Sequence, residues 1–246
     1  MYLIQKYFLN RAMVDEWLVR SAQKYNRQSL ENKDSYPAII LMPVSSLEII
    51  LNWTFESLPD EILIGMDPNP EIKNPRDVED LYRGEDYQND LFAGQGYVLG
   101  EPHLVNRGDA FSVHHVPEEW NDGLFVEERG VRGSRFTTWL HTHPNAPALP
   151  SIADADAAQW TEGCDMILGV RFSPEGIFPW FDDIEGARRK LSPEEIDEKI
   201  TGLKPYIGTA ITGHRIHDLE LISFHKRGFG INIVLTDEKG NVFLEK

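Results

Sequence analysis

A short apolar segment that runs directly into two histidines constrains this chain more than any other feature. The pattern of residues 135–140 predicts a strand, and His141 and His143 continue it at a spacing of two. Alternate residues of a strand point to the same face, so the two imidazoles project together. Pro144 then turns the chain, and a small, proline-rich stretch leads to a helix start at Ser151. The segment therefore predicts two histidine side chains within reach of one metal ion.

Asp154 supplies the third candidate ligand. It stands three residues after Ser151, in the first turn of the predicted helix, where its carboxylate can point back toward the histidines. Two histidines and one carboxylate leave a fourth tetrahedral position open, which is typical of catalytic rather than structural zinc sites. Ser151-x-x-Asp154 taken alone is only a helix capping box, and His-x-His alone is common. The joint pattern is what indicates a functional site.

The joint pattern resembles a known signature. From His141 to Asp154 the sequence matches His-x-His-x(7)-Ser-x-x-Asp, the signature of the JAMM (MPN-plus) metalloproteases, at every position. The resemblance covers residues 38–182 and implies a zinc-dependent metallopeptidase or isopeptidase. It implies His141, His143 and Asp154 as metal ligands, and Ser151 as the donor of a hydrogen bond to the oxyanion. It also implies an MPN-like layout, similar to that of cytidine deaminases.

The resemblance implies one further residue, a glutamate that accepts a proton from the attacking water. In the family this glutamate stands at the start of a strand just after the first helix, and Glu61 occupies that place. The family has glycine three residues later, whereas this chain has Ile64 there and Gly65 one position further on. Glu48 and Glu56, both in the preceding predicted helix, are the alternatives.

The rest of the chain predicts a mixed, mainly antiparallel sheet flanked by helices, of the α/β (α+β) class, because strands and helices alternate without a strict βαβ rhythm. Two helices have start signals. Ser45 and Glu48 form a predicted capping box, and Ser192 is a predicted N-cap, followed by Pro193 at the first helical position and by an acidic first turn. A third helix is predicted over 151–160. Strands are predicted at 38–42, 61–66, 97–99, 110–116, 124–127, 135–140, 165–172, 177–181, 219–225 and 229–236.

Three parts are predicted along the chain. Residues 1–37 comprise an amphipathic helix that ends near residue 24 and a polar linker over 25–37. Residues 38–190 form the catalytic domain, with a surface insertion at 67–93, and residues 191–246 add a helix and strands packed on the same domain. We expect the first helix to dock on the domain or on a second subunit, which would make a homodimer. A membrane-surface helix is the alternative, although its polar face lacks the basic excess that anionic lipid attracts.

Composition excludes several classes of protein. The formal net charge of −16 argues against a nucleic-acid partner, because such proteins normally present a basic face. Cys164 is the single cysteine, so no intramolecular disulfide can form, and a cytoplasmic location is expected. We expect Cys164 to be a small buried residue. No run approaches the roughly 18 apolar residues that span a bilayer, so no membrane partner is expected.

The remaining histidines give no second metal site. His114 and His115 are neighbours on a predicted strand and point to opposite faces. His214 and His217 have a helical ligand spacing but no third ligand, so a surface turn is expected.

The function predicted is hydrolysis of peptide or isopeptide bonds in a protein substrate, including conjugates of ubiquitin-like modifiers. One alternative is a non-catalytic MPN scaffold, against which the intact ligand set argues. The other is a zinc hydrolase acting on a non-protein amide. A nucleobase deaminase is excluded, because it needs a Pro-Cys-x-x-Cys motif and the chain has one cysteine.

Overall fold

A computed structural model describes residues 16–72, 98–108, 113, 136–173, 181–184, 187–190, 192, 194–195, 205–210, 212–237 and 239–242. The predictions for residues 1–15, for the strand at 124–127, for His114 and His115, and for all but Val113 of the strand at 110–116 lie outside these residues. So does the insertion from residue 73 onward. Among the described residues, no helix combines the length and apolar character needed to cross a membrane.

The described chain forms one large sheet with three α-helices. The sheet order is β1-β10-β9-β5-β4-β2-β3, with β8 paired to β9, while β6 and β7 pair separately. The helices are α1 (Glu16–Glu31), α2 (Val44–Ser57) and α3 (Ile152–Ala158), and a short 3-10 helix spans Lys33–Ser35. The strands are β1 (Ile39–Pro43), β2 (Ile62–Met66), β3 (His103–Arg107), β4 (Thr138–Pro144), β5 (Cys164–Ser173), β6 (Phe181–Ile184), β7 (Ala187–Lys190), β8 (Gly208–Thr209), β9 (Arg215–Phe224) and β10 (Gly230–Thr236).

The strand directions are mixed, as the sequence predicts. β1 pairs with β10 and β4 with β5 in parallel, and the other described ladders are antiparallel. β9 and β10, from the C-terminal part of the chain, therefore lie inside the same sheet as the strands of the proposed catalytic part.

The core lies between the sheet and the helices. Every residue of β1 and β2 is buried, and β10 is buried after its first residue. On α2, Leu47, Ile50, Leu51 and Phe55 recur at helical spacing and are all buried. A fully buried side chain of this size contributes about 1.5–3 kcal/mol relative to exposure, so this face holds α2 firmly on the sheet.

The prediction of a linker over residues 25–37 is wrong for residues 25–31, because α1 continues to Glu31. The side chain of Asn26 donates a hydrogen bond to the Leu235 carbonyl (2.9 Å) and accepts one from the Leu235 amide (2.7 Å). Ser29 donates to the side-chain oxygen of Asn232 (2.5 Å). These polar residues resemble a linker in sequence, but they are buried because they bind the last strand of the sheet.

The predicted start of α2 is also wrong. The helix begins at Val44 with Pro43 as its N-cap, and no side chain caps it, so Ser45 and Glu48 form no capping box. The physical reason is that β1 runs through Pro43 directly into the helix, which leaves no connecting loop for a capping serine. The helix start predicted at Ser192 carries a capping box: the Ser192 amide donates to the Glu195 carboxylate (2.8 Å), and the Glu195 amide donates to the Ser192 hydroxyl (3.3 Å).

The surface turn expected for two histidines holds for His214 but not for His217. β9 begins at Arg215, so His217 lies within a strand and is buried. Its Nε2 is 2.6 Å from the Ser173 hydroxyl. Cys164 is fully buried as predicted, and burial raises the pKa of its thiol to about 11.

Candidate metal centre

The two histidines of the motif lie on β4, in the interior of the sheet. β4 is flanked by β2 and β5, and His141 is paired with Leu63 on one side and with Ile167 on the other. The His141 side chain is 2% exposed, and that of His143 is 13% exposed. The backbone at His141 is thus held on both edges, whereas His143 lies beyond the end of the β2 ladder and is paired with Gly169 of β5.

The structure brings His141, His143 and Asp154 together. The Nε2 atoms of the two histidines are 3.0 Å apart. Asp154 places one carboxylate oxygen 3.0 Å from Nε2 of His141 and the other 3.5 Å from Nε2 of His143. One ligand atom from each residue can be chosen so that all lie within 4.8 Å of one another.

The start of α3 positions the carboxylate. Ser151 has extended backbone angles and is the N-cap, and its hydroxyl accepts a hydrogen bond from the Asp154 amide (3.2 Å). In return, the Asp154 carboxylate accepts a hydrogen bond from the Ser151 amide (2.7 Å). This reciprocal pair fixes the rotamer of Asp154 and leaves the carboxylate facing the histidines.

The charges of the cluster shift its pKa values in opposite directions. Burial by itself would raise the pKa of the Asp154 carboxyl, but hydrogen bonds with His141 and His143 outweigh burial and hold that pKa far below its usual range. Burial would lower the pKa of His143, but the Asp154 carboxylate, the Pro147 carbonyl and the negative charge of Glu61 together raise it. The cluster is thus a negative site that attracts a proton or a metal cation.

The donor set and its spacing fit a metal ion. Zinc bonds of about 2.0–2.1 Å in a tetrahedron place neighbouring ligand atoms about 3.3 Å apart. The two Nε2 atoms are 3.0 Å apart, and Nε2 of His141 is 3.0 Å from one Asp154 oxygen, both close to that value. The 3.5 Å contact of His143 is with the other Asp154 oxygen. The His141, His143 and Asp154 group could therefore hold a metal ion.

Glu61 lies beside this cluster. The Ile62 amide donates to the hydroxyl of Thr142 (2.9 Å), and Leu63 pairs with His141. The β2–β4 ladder ends at the Leu63–His141 pair, and an extension of its register by two residues would bring Glu61 to His143. The Glu61 residue is 7% exposed, and its charge acts on the His143 ring.

The two alternatives to Glu61 have a different setting. Glu48 and Glu56 both lie on α2, where Glu56 is exposed and Glu48 is half-buried. Gly65, one residue later than the family pattern has it, lies against the ring of Phe136. A Cβ there would meet that ring at 2.1 Å, so packing requires glycine at this position.

The sequence predicts that residues 145–150 connect β4 to α3, but it assigns no role to the residues of this loop. Asn145 has a left-handed backbone (φ 55°), and its side-chain oxygen accepts a hydrogen bond from the Phe172 amide (2.9 Å). Nδ1 of His143 is 3.0 Å from the Pro147 carbonyl, and the Ala148 amide donates to the Glu220 carboxylate (3.2 Å). An asparagine directly after the proline of the motif was the available signal, since asparagine tolerates left-handed backbone angles.

Comparison with known proteins gives a limited likeness. The chain is 32% identical over 94 residues to a human protein named MPN domain-containing protein. That alignment covers 35% of this chain and 18% of the human protein, so the chain spans less than a fifth of the relative it matches. No model of a known protein family matches the sequence.

The described residues form a mixed α/β domain, and about a third of the chain is similar in sequence to an MPN domain-containing protein. The candidate metal centre of this chain is the group of His141, His143 and Asp154.

Proposed function

We propose that this chain is a JAMM-type, zinc-dependent hydrolase that cleaves peptide or isopeptide bonds. The observation that carries the proposal is the convergence of His141, His143 and Asp154. These residues come from a buried strand and a helix N-terminus, and both elements are held by their own hydrogen bonds. Three protein ligands of this kind suit a catalytic site, because they leave a coordination position open.

Bound zinc would supply a Lewis acid that polarises the scissile carbonyl and brings the pKa of a water molecule to about 7. Glu61, whose negative charge acts on the His143 ring, would accept a proton from the attacking water and deliver it to the leaving amine. Glu61 is only 7% exposed, so bulk water has little access to its carboxylate.

Ser151 contributes through its hydroxyl. The oxygen accepts a hydrogen bond from the Asp154 amide, so the hydroxyl proton remains available to donate. Ser151 is exposed at the beginning of α3, where a substrate can reach it. There it donates to the oxyanion that develops as the carbonyl is attacked. Such a donor typically accounts for about 100- to 1,000-fold in rate.

The surroundings of Ser151 favour a protein substrate. Leu149 and Ile152 flank the serine with 65% and 84% of their surfaces exposed, and Trp160, two residues after the end of α3, is 61% exposed. Exposed apolar side chains on both sides of Ser151 offer a surface that another protein or peptide can contact. We therefore propose a polypeptide substrate, including conjugates of ubiquitin-like modifiers, in preference to a small polar amide.

Zinc content tests the site. We expect about one zinc per purified wild-type chain, and little in His141→Ala or Asp154→Ala. Asp156→Ala is the matched control, because Asp156 lies on the same helix but is exposed. Equal zinc in all four proteins would remove the three residues as ligands.

Activity tests the reaction. Wild-type protein loaded with zinc is offered a short peptide, an isopeptide-linked fusion of a ubiquitin-like modifier and a small acylated amide. Cleavage of the first or second supports the proposal. Cleavage of the amide alone indicates a non-protein substrate, and tight zinc binding without any cleavage indicates a scaffold.

A further inference from the structure

The loop at 145–150 is pressed onto β5 at a glycine. Gly169 is paired with His143 on β4 and with Glu220 on β9. A Cβ at Gly169 would meet the Ala148 nitrogen at 2.8 Å and the Ala146 carbonyl oxygen at 3.0 Å. Only glycine lets the loop backbone lie this close to the strand. This close approach brings the loop within reach of the Glu220 side chain, because Glu220 is the neighbour of Gly169 in the sheet.

One peptide group of this loop links Glu220 to a candidate metal ligand. The Ala148 N–H donates to the Glu220 carboxylate at 3.2 Å. The carbonyl of the same peptide group, that of Pro147, lies 3.0 Å from Nδ1 of His143. Because a carbonyl can only accept, Nδ1 carries a proton, and in the neutral ring Nε2 keeps its lone pair. Nε2 is the atom that faces His141 and Asp154.

We propose that Glu220 is a positioning residue for His143 and acts through the Pro147–Ala148 peptide group. The carboxylate orients the peptide plane, and by accepting from its N–H it polarises the carbonyl, which strengthens the bond that carbonyl accepts. That bond sets the tautomer and the ring orientation of His143 and makes Nε2 a better ligand. The inference rests on the proposed metal centre, but it concerns a residue 72 positions from the loop that the ligand motif does not include.

The first experiment measures zinc affinity by competition with a chromophoric chelator. Replacing the direct partner of a ligating histidine typically costs about 10- to 100-fold in metal affinity. Glu220 acts one peptide group further out, so Glu220→Ala is expected to lose about 10-fold, the lower end of that range. Glu220→Gln keeps an oxygen acceptor of the same reach, so it is expected to retain an affinity between those of wild type and Glu220→Ala. Asp156→Ala again controls for removal of a negative charge near the centre, and its affinity is expected to equal that of wild type.

A second measurement needs no metal. ¹⁵N NMR of the metal-free protein, at a pH where His143 is neutral, reports which ring nitrogen carries the proton. We expect the Nδ1–H tautomer in wild type and Glu220→Gln, and a mixture of tautomers in Glu220→Ala. The melting temperature of each metal-free variant is recorded beside it.

The outcomes separate the two proposals. If Glu220→Ala binds zinc as tightly as wild type and the His143 tautomer is unchanged, the positioning role is overturned, while the proposed metal centre is unaffected. A loss of affinity in Glu220→Ala that merely parallels a lower melting temperature of the metal-free protein overturns the positioning role as well. A wild-type chain that binds no zinc would instead refute the metal centre, and the positioning role with it.

Discussion

Replacement of Glu61 by glutamine separates proton transfer from everything else that the side chain does. Glutamine fills the same volume and hydrogen-bonds the same water, but it cannot accept a proton at neutral pH. The backbone of this residue is unaffected, because the Glu61 carbonyl accepts from the Gly108 amide (2.8 Å) and the next amide donates to Thr142. The fold and the zinc content of Glu61→Gln should therefore equal those of wild type.

The expected magnitude follows from the placement of the carboxylate. Glu61 is buried beside His143, so no bulk water can replace it as a proton acceptor at low cost. A positioned acid–base group contributes at least about 100-fold in rate. A 100-fold change in rate corresponds to about 2.7 kcal/mol of activation free energy. The exposed Glu56 on α2 provides the matched control, because Glu56→Gln should change stability by less than about 0.5 kcal/mol and turnover not at all.

The assay is steady-state cleavage of the best substrate from the peptide and isopeptide panel, with zinc content measured on the same samples. A fall confined to kcat in Glu61→Gln supports the proton-transfer role. Undiminished kcat in Glu61→Gln, at full zinc content, would refute it. If activity were lost in Glu48→Gln or Glu56→Gln instead, the base would lie on α2 and the register argument would be wrong.

Four further results are expected. Ser151→Ala should lower kcat by about 100- to 1,000-fold through loss of the oxyanion donor. Calorimetry should show that the same variant has a free energy of unfolding lower by about 1 kcal/mol, because the helix cap is missing. Because the His143 pKa is raised, a proton competes with zinc, so titrations across a pH series should show affinity falling as pH falls through that raised pKa; pH-independent affinity would contradict this. Ile152→Asp should raise KM for a folded protein conjugate more than for a small amide, since the side chain is 84% exposed beside Ser151; equal KM changes would argue against a docking role. Shortening the acidic segment 67–93 should alter cleavage of folded substrates more than that of a short peptide, and a joint loss of both activities with the fold would show that the segment is structural.

The sequence predicts those parts of the site that depend on local spacing. Two histidines two residues apart share a face on any strand, and a serine three residues before an aspartate caps any helix that starts there. Both elements form where expected, as β4 and α3, and the loop between them is short enough to bring the ligand atoms together.

Contacts between distant parts of the chain could not be predicted in this way. Asn26 and Ser29 lie in the polar stretch 25–37, whose composition indicates a linker. They are helical because they bind β10 more than 200 residues away. The bond between Glu220 and the loop is similarly remote, since nothing in the sequence of β9 distinguishes one carboxylate of that strand from another.

The capping box and the metal ligand are alternative interpretations of Asp154 in the sequence, but in the structure one carboxylate can serve both roles. One carboxylate oxygen faces His141, while the other accepts the Ser151 amide proton and lies 3.5 Å from His143. A cap that only stabilised the helix would not need to be buried, yet Asp154 is 6% exposed. Burial of a carboxylate is unfavourable unless other groups compensate for it, and the amide and the two imidazoles do so. The helix start thus orients the ligand, as outer hydrogen bonds do at metal sites. Asp154→Asn should accordingly preserve much of the cap and still abolish zinc binding, because the amide side chain lacks the charge that draws a cation to the two histidines.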